Sequence, residues 1–251
     1  MIKMIVMDLD NTLLTSHKHI TDYSLNVLHK CRREGFKLVI ATARSEKAAL
    51  PYQKILQPDI SIYNNGALVK CKNIIIFEET IPNSACCDLL NVCTNQYKLE
   101  NTKVVTKYGD FSNAKNIRGD GFEYEFNDYS NLKDNVYKIT IKTDESIAYQ
   151  IVDQYANYSV FKFEGRNSFM FTHVNATKET AVKKIADWCG LNMDEIIAFG
   201  DDLGDIGMLV ACGIGIAVAN AEQKVKAAAN SICGSNDEDG VAKWIIENIF
   251  L

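Results

Sequence analysis

The run Ile2-Lys3-Met4-Ile5-Val6-Met7-Asp8-Leu9-Asp10-Asn11-Thr12 carries a short apolar segment straight into two carboxylates. A short apolar run ending abruptly in Asp8 is what a strand buried in a parallel sheet presents. Outward from it the pattern alternates. Residues 21–34 have helical spacing, which predicts Tyr23, Val27, Leu28 and Cys31 on one face, Thr21 as the cap at the start and Gly35 at the end. Residues 36–41 predict a second strand, 45–56 a helix despite Pro51, and 59–63 a third strand. Residues 67–70 and 74–77 read as a hairpin around 71–73.

Past Pro82 the alternation breaks. Residues 83–97 predict a helix, 122–126 and 136–142 strands, 145–155 a helix, and 160–163 and 169–173 two further strands. Residues 109–121, the most polar stretch, predict a loop. Runs of strands with interspersed helices describe an inserted α+β module. After Asn175 alternation resumes. A helix at 177–189, with Ala181, Ile185 and Trp188 on one face, is ended by Gly190. A strand at 195–199 enters Gly200-Asp201-Asp202. A short helix at 203–211, a strand at 214–218 and helices at 221–229 and 241–249 follow. The expected fold class is α/β: a doubly wound parallel sheet built from residues 1–81 and 173–251, with a smaller α+β domain at 82–172. Such sheets bind ligands beyond the carboxyl ends of their strands. The residues just after each strand are therefore the ones to read for function.

Composition removes several classes of function. With 47% hydrophobic and 24% charged residues, a chain of 251 can bury a core, which excludes a mainly disordered protein. No apolar run approaches the roughly 18 residues of a membrane span. The acids at positions 8 and 10 are expected to exclude a leader or anchor. An excess of 32 acidic over 27 basic residues argues against a broad nucleic-acid surface. Eight scattered cysteines with no C-x-x-C, and only four histidines, are expected to be free thiols in a reducing, cytoplasmic setting. No nucleic-acid or membrane partner is expected, and nothing in the sequence sets the oligomeric state.

Four sites follow strands. Asp8 and Asp10 can line one crevice, where paired carboxylates repel unless a cation offsets them, and oxygen-only ligands suit Mg2+. Taken without context, a bare D-x-D reads first as two solvated loop acids. Thr42 can hold an anion at the start of the next helix or simply cap it. Lys178, at a helix start, opposes the helix dipole unless it faces an anion; otherwise it is a solvated surface lysine. In Gly200-Asp201-Asp202-Leu203-Gly204-Asp205, Asp201 is expected to face the crevice, while Asp202 and Asp205 have helix capping as an alternative role.

Taken in order, these residues resemble the haloacid dehalogenase superfamily, and within it the Cof-type phosphatases with the larger, class IIB cap. Asp8-Leu9-Asp10-Asn11-Thr12 resembles its first motif, Thr42 its second, Lys178 its third and Gly200 to Asp205 its fourth. Asn64-Asn65-Gly66-Ala67 is similar to the segment preceding the cap. Ala219-Asn220-Ala221 and Glu238-Asp239-Gly240-Val241-Ala242 are similar to late core segments. The resemblance implies a Rossmannoid core and a Mg2+-dependent phosphatase acting on a small phosphorylated metabolite, such as a sugar phosphate. Asp8 would be the nucleophile that becomes an aspartyl-phosphate, and Asp10 the general acid and base. Mg2+ would sit on Asp8, the backbone carbonyl of Asp10, and Asp201. Thr42 and Lys178 would stabilise the phosphate. Arg44, beside Thr42, would join them or pair with a nearby acid. Asp205 and Asn220 are secondary candidates. The same resemblance admits a phosphomutase, or a metal- or phosphate-binding regulator without turnover. One departure stands out: Gly204 occupies a position that is commonly Asn. In the inserted domain, Lys115 and Arg118 of the 109–121 stretch are candidate substrate contacts, or parts of a solvated charged loop.

Overall fold

The structure is a computed structural model that describes residues 1–119, 121–163 and 167–250. The first third runs β1 (Met4–Met7), α1 (Asp22–Arg33), β2 (Lys37–Ala41), α2 (Glu46–Leu56), β3 (Ile60–Tyr63), then the hairpin β4 (Leu68–Cys71) and β5 (Ile74–Glu78). The middle contributes α3 (Asn83–Asn91), β6 (Lys103–Thr106), β7 (Asp110–Ser112), β8 (Arg118–Gly119), β9 (Phe122–Glu123), β10 (Glu125–Phe126), β11 (Val136–Lys142), α4 (Glu145–Val152), β12 (Tyr158–Lys162) and β13 (Ser168–His173). The last third gives α5 (Lys178–Cys189), β14 (Ile196–Gly200), α6 (Ile206–Ala211), β15 (Ile214–Ala217), α7 (Gln223–Ala228), β16 (Ser231–Ile232) and α8 (Gly240–Ile249).

Two sheets organise these elements. The larger has the order β16-β15-β14-β1-β2-β3-β4-β5. Its first six strands are parallel and the β4–β5 hairpin adds an antiparallel edge. β1, β3 and β14 are buried along their whole length, as interior parallel strands must be. The smaller sheet, β10-β7-β6-β11-β13-β12, lies in the inserted segment. Ile139 and Ile141 of β11 and Phe169 and Phe171 of β13 pack on one side of it, with Leu89 of α3 and Ile151 of α4. The α/β core with an inserted α+β cap is thus the architecture the sequence predicts.

Several elements differ from expectation for physical reasons. On α1 the buried stripe is Ser24, Val27, Leu28 and Cys31, and Tyr23 is 44% exposed. On α5 Lys178, Ala181, Val182, Ile185 and Ala186 are buried, and Trp188 is 51% exposed. Each large aromatic sits about a quarter turn from the centre of its stripe at roughly 100° per residue, so its ring lies at the rim. The single helix expected at 83–97 stops at Asn91 and passes into a wider turn, Val92–Gln96. The expected 109–121 loop contains β7 and β8, and its Asp120 lies outside the described residues. The expected 122–126 strand divides: β9 pairs with β8, and β10 pairs with β7. β6 and the two-residue β16 are too short to stand out by periodicity. No helix among the described residues is long and apolar enough to cross a membrane.

The cap rests on the core through specific contacts. Ile81 and Val136 exchange backbone hydrogen bonds of 2.7 and 2.9 Å. The Tyr137 hydroxyl donates to Glu78 (2.8 Å) and the Lys138 ammonium donates to the Ala43 carbonyl (2.7 Å). The Ser45 hydroxyl donates to Asp110, both residues being buried.

Candidate active site

Parallel register decides what meets at the sheet edge. Met7 lies beside Phe199 of β14 and Ile40 of β2. The residues leaving those three strands, Asp8, Asp201 and Thr42, therefore emerge side by side, and all three line one crevice of about 170 Å3. The Asp8 N–H still donates to Phe199 O (3.0 Å), so the sheet ladder itself holds the residue. A single wide turn, Leu9–Leu13, follows and closes with Leu14 N–H on Leu9 O (2.8 Å). Asn11 takes the left-handed conformation there (φ 58°), which asparagine tolerates better than most residues. Asp10 lines the crevice mouth.

Lys178 is not a surface lysine. It is 1% exposed, and its ammonium donates to Asp8 Oδ1 (2.7 Å) and Asp205 Oδ1 (2.5 Å). Those carboxylates offset the helix dipole that disfavours a cation at the start of α5. Thr177 caps the helix by accepting from Thr180 N–H (3.0 Å). Asp205 is fully buried, and its second oxygen accepts from the N–H groups of Asp201 (2.9 Å) and Asp202 (3.1 Å). It holds the acidic turn and also completes a capping box with Asp202, as the capping alternative expected. Asp202 does cap, accepting from Gly204 N–H (2.8 Å). Gly200 is required for this packing: a Cβ there would lie 2.5 Å from Cβ of Asp205.

The charges in this cluster do not balance. Burial raises Asp8 well above the usual carboxylate range. Lys178 opposes that rise, and Asp205, Asp201 and Asp202 add to it. Burial and then Asp205 push Asp201 up to about 7 and Asp202 up to about 6. Burial alone would lower Lys178, but Asp205 and Asp8 raise it well above its ordinary value, so it remains an ammonium. Four acids share one cation. One oxygen from each of Asp8, Asp201 and Asp205 lies within 4.8 Å of the others. Three hard oxygen donors carrying surplus negative charge fit a divalent cation. Thr12, buried beneath them, donates to Asp201 Oδ1 (2.6 Å) and orients it. Asp205, a secondary candidate in the sequence, thus joins Asp8 and Asp201 in the group of carboxylates.

Asp10 turns its carboxylate elsewhere. Arg44 grips it with two bonds, Nε to Oδ2 at 2.6 Å and a terminal nitrogen to Oδ1 at 2.8 Å. Lys18 adds an ion pair of 2.9 Å. Burial would raise this acid, but the hydrogen bonds and charges of Arg44, then Lys18, hold it at about 2. Of the two roles open to Arg44, the structure displays the pairing with an acid.

The Thr42 loop is built from backbone bonds. Asn65 N–H donates to Thr42 O (3.0 Å) and Asn64 N–H to Arg44 O (2.9 Å), both asparagines having positive φ. The turn then presses on the start of α5: a Cβ on Gly66 (φ +110°) would lie 2.2 Å from Thr177 O. The Asn64-Asn65-Gly66 motif therefore links the Thr42 loop to the helix carrying Lys178. Thr42 Oγ1 accepts from Arg44 N–H (3.1 Å), a local turn contact. Asn220 stands behind the crevice. It donates to Asn11 O (2.7 Å) and accepts from Asn236 N–H (3.0 Å), bracing the wide turn.

Residues that the sequence reading did not single out include Thr12, Lys18, Lys138 and Phe163. All but Thr12 line the crevice. The cap also accounts for Gly204. A Cβ there would lie 3.1 Å from the Phe161 ring, 3.1 Å from Asp202 Oδ1 and 3.2 Å from Asn65 Oδ1. A side chain there would require Phe161, Asp202 and Asn65 to give by a few tenths of an ångström. Arg118 lines a second, larger cavity in the cap, whereas Lys115 lies over the Phe126 ring and outside that cavity.

Comparison with known proteins agrees with this geometry. A family model described as haloacid dehalogenase-like hydrolase matches residues 5–245. The chain is 27% identical to a 5-amino-6-(5-phospho-D-ribitylamino)uracil phosphatase of Bacillus subtilis (strain 168), with 97% of this chain and 94% of the relative covered. It is 24% identical to a pyridoxal phosphate phosphatase of Escherichia coli (strain K12), with 98% of each covered. Its fold is similar to that of a haloacid dehalogenase-like hydrolase from Bacteroides thetaiotaomicron, with a TM-score of 0.88 at 24% identity over 98% of this chain and 99% of the other.

Proposed function

The chain belongs to the haloacid dehalogenase-like hydrolase family as one of its phosphatases, and we propose that it hydrolyses a small phosphorylated metabolite through an aspartyl-phosphate on Asp8, with Mg2+ as its cation. The observation that carries this reading is the buried group of Asp8, Asp201 and Asp205 around Lys178 at the strand ends. Residues 1–81 and 173–251 would supply the chemistry, and 82–172 the choice of substrate. The two relatives named above act on quite different phosphorylated compounds, so family membership leaves the metabolite open. The cytoplasmic setting belongs to the same proposal, in keeping with eight unpaired cysteines.

Asp8 Oδ bonds to phosphorus as the ester P–O bond breaks, and a proton from Asp10 goes to the departing oxygen. Water then bonds to phosphorus and gives its proton to Asp10, and the bond between phosphorus and Asp8 breaks. When bound, the cation supplies the positive charge that lets an anionic phosphate approach Asp8. Lys178 holds Asp8 in place and faces the phosphoryl oxygens, and Thr42 holds them from the opposite strand end. Asp10 as it stands is ionised and ready to act as base. Its acid role requires Arg44 to turn from the carboxylate to the phosphate, which would let Asp10 take up a proton.

The test is release of phosphate from p-nitrophenyl phosphate with and without Mg2+. Turnover should depend on the cation and fall about 10⁴-fold or more in Asp8→Asn, the scale on which catalytic nucleophiles are lost. Turnover persisting in that variant would remove Asp8 from its role.

A further inference from the structure

We infer that Asp110 of the cap is a positioning residue for the phosphoryl transfer. Through Ser45 it fixes the Thr42-Ala43-Arg44-Ser45 loop, which is fully held only while the cap is docked. The inference rests on the phosphatase reading for what the loop binds.

The loop joins β2 to α2 and is tied from two sides. The core takes Thr42 and Arg44. Thr42 N–H donates to Ile62 O (2.9 Å), Thr42 O accepts from Asn65 N–H (3.0 Å) and Arg44 O accepts from Asn64 N–H (2.9 Å). The cap takes the alternate residues, Ala43 and Ser45. Ala43 O accepts from the Lys138 ammonium (2.7 Å). The Ser45 hydroxyl donates to Asp110 and accepts from Ala48 N–H (3.2 Å), so its proton and a lone pair are both in use and its orientation is set. Two cap strands thus reach one four-residue loop, β7 with Asp110 and β11 with Lys138.

Burial gives the Asp110 contact its weight. Ser45 is 2% exposed and Asp110 4%, so removing either partner leaves the other buried with a bond unmade. Asp110 also meets the first turn of α2, where an acid is favoured. Its own placement is rigid. Asp110 pairs with Val105 of β6, and the turn between the strands is closed by Thr106 N–H on Gly109 O (3.0 Å). Tyr108 N–H adds a bond to Thr106 Oγ1 (3.1 Å). Thr42 and Arg44 line the crevice with Asp8, whereas Ser45 and Asp110 stand outside it. Asp110 therefore acts through the loop. A further bond between cap and core, from the Tyr137 hydroxyl to Glu78, leaves the loop untouched and serves as the control.

The experiment measures turnover of p-nitrophenyl phosphate with Mg2+ and hydrogen exchange at residues 42–45, both on the whole protein. Asp110→Ala should lower kcat about tenfold, the scale of one lost hydrogen bond, and speed exchange in the loop about as much. KM should stay within about twofold, because a loosened loop costs most where the phosphoryl oxygens carry most charge, in the transition state. Asp110→Asn keeps an oxygen for the Ser45 hydroxyl and should recover most of kcat. Ser45→Ala should reproduce the loss, and adding Asp110→Ala to it should cost little more. Tyr137→Phe should leave kcat within about twofold. Where Asp110→Ala does not fold, Ser45→Ala against Ser45→Thr makes the same comparison. Wild-type kcat and exchange in Asp110→Ala overturn the inference. So do additive losses in the double variant, no recovery in Asp110→Asn, an equal fall in Tyr137→Phe, or a rise in KM with kcat unchanged. If Asp110→Ala loosens the loop but the wild type releases no phosphate, the phosphatase reading fails and the tie between cap and loop stands. Wild-type turnover that Asp110→Ala leaves unchanged does the reverse.

Discussion

Lys178 lines the crevice and Lys142 the adjoining cap cavity, and the molecule treats them oppositely. Lys178 is sealed in, bonded to two aspartates and set at the first turn of α5. Lys142 stands exposed at the end of β11. A buried charge needs a fixed partner, so the crevice is assembled from strand ladders, a capped helix and backbone turns that cannot rearrange cheaply. An exposed charge on a strand face needs none, so it can be exchanged without cost to the fold. The buried acidic cluster sits where substitution is expensive, and the open face of the cap sheet where it is cheap.

That contrast is broken most directly by Lys178→Met. Removing the ammonium leaves Asp8 and Asp205 buried without their partner, and urea unfolding should show a loss of about 3–5 kcal/mol. Lys142→Met should stay within about 0.5 kcal/mol, as other exposed substitutions do. Equal losses would end the distinction between the two regions.

A smaller effect follows from the unbalanced acids. Asp201 and Asp202, at about 7 and about 6 against an ordinary 3.8, bind protons more tightly in the folded chain than in the unfolded one. Their contribution to stability is complete below about pH 4 and is lost as pH rises through 6 to 7. The metal-free protein should therefore lose several degrees of Tm between about pH 5 and pH 8, and Mg2+ should restore them. Asp10 has the opposite sign. Held at about 2, it stabilises above 3.8, and that contribution is lost as pH falls toward 2. A metal-free Tm that is flat or rising from pH 5 to 8 would show that the cluster is already neutralised.

The smallest expected effect lies where the two regions touch. Gly204→Asn should press on Phe161 and lower stability in urea unfolding by about 1 kcal/mol, an overpacking cost near the low end of the usual range. Adding Phe161→Ala should recover much of it. No recovery would mean that the cap side chain is not what keeps position 204 small.

How much of this was legible in advance differs residue by residue. The strand ending at Asp8 could be read because burial on both faces leaves a continuous apolar run, and the acids stand out against it. Asp205 could be named but not given its task, since capping and bracing use the same residue at the same turn. Arg44 carried two roles until its fork on Asp10 was visible. The rims of α1 and α5 were misjudged because Tyr23 and Trp188 are apolar by type and marginal by angle. In β11 the alternation of Lys138, Thr140 and Lys142 with Ile139 and Ile141 was already present in the residues, but which alternate set lined the cap cavity was not.

The order of apolar runs, acids and glycines along the chain was enough by itself to specify an α/β core with an inserted cap, and its motifs carry the resemblance to the family. Periodicity and turn chemistry are local, and they survive without knowledge of any partner. Tertiary structure alone decided that the Asp205 carboxylate joins those of Asp8 and Asp201. It also decided that Lys178 is sealed among them, and that Phe161 of the cap occupies the space beside Gly204. Those outcomes depend on distances between residues far apart in the chain, set by strand register and by the docking of one sheet over the other.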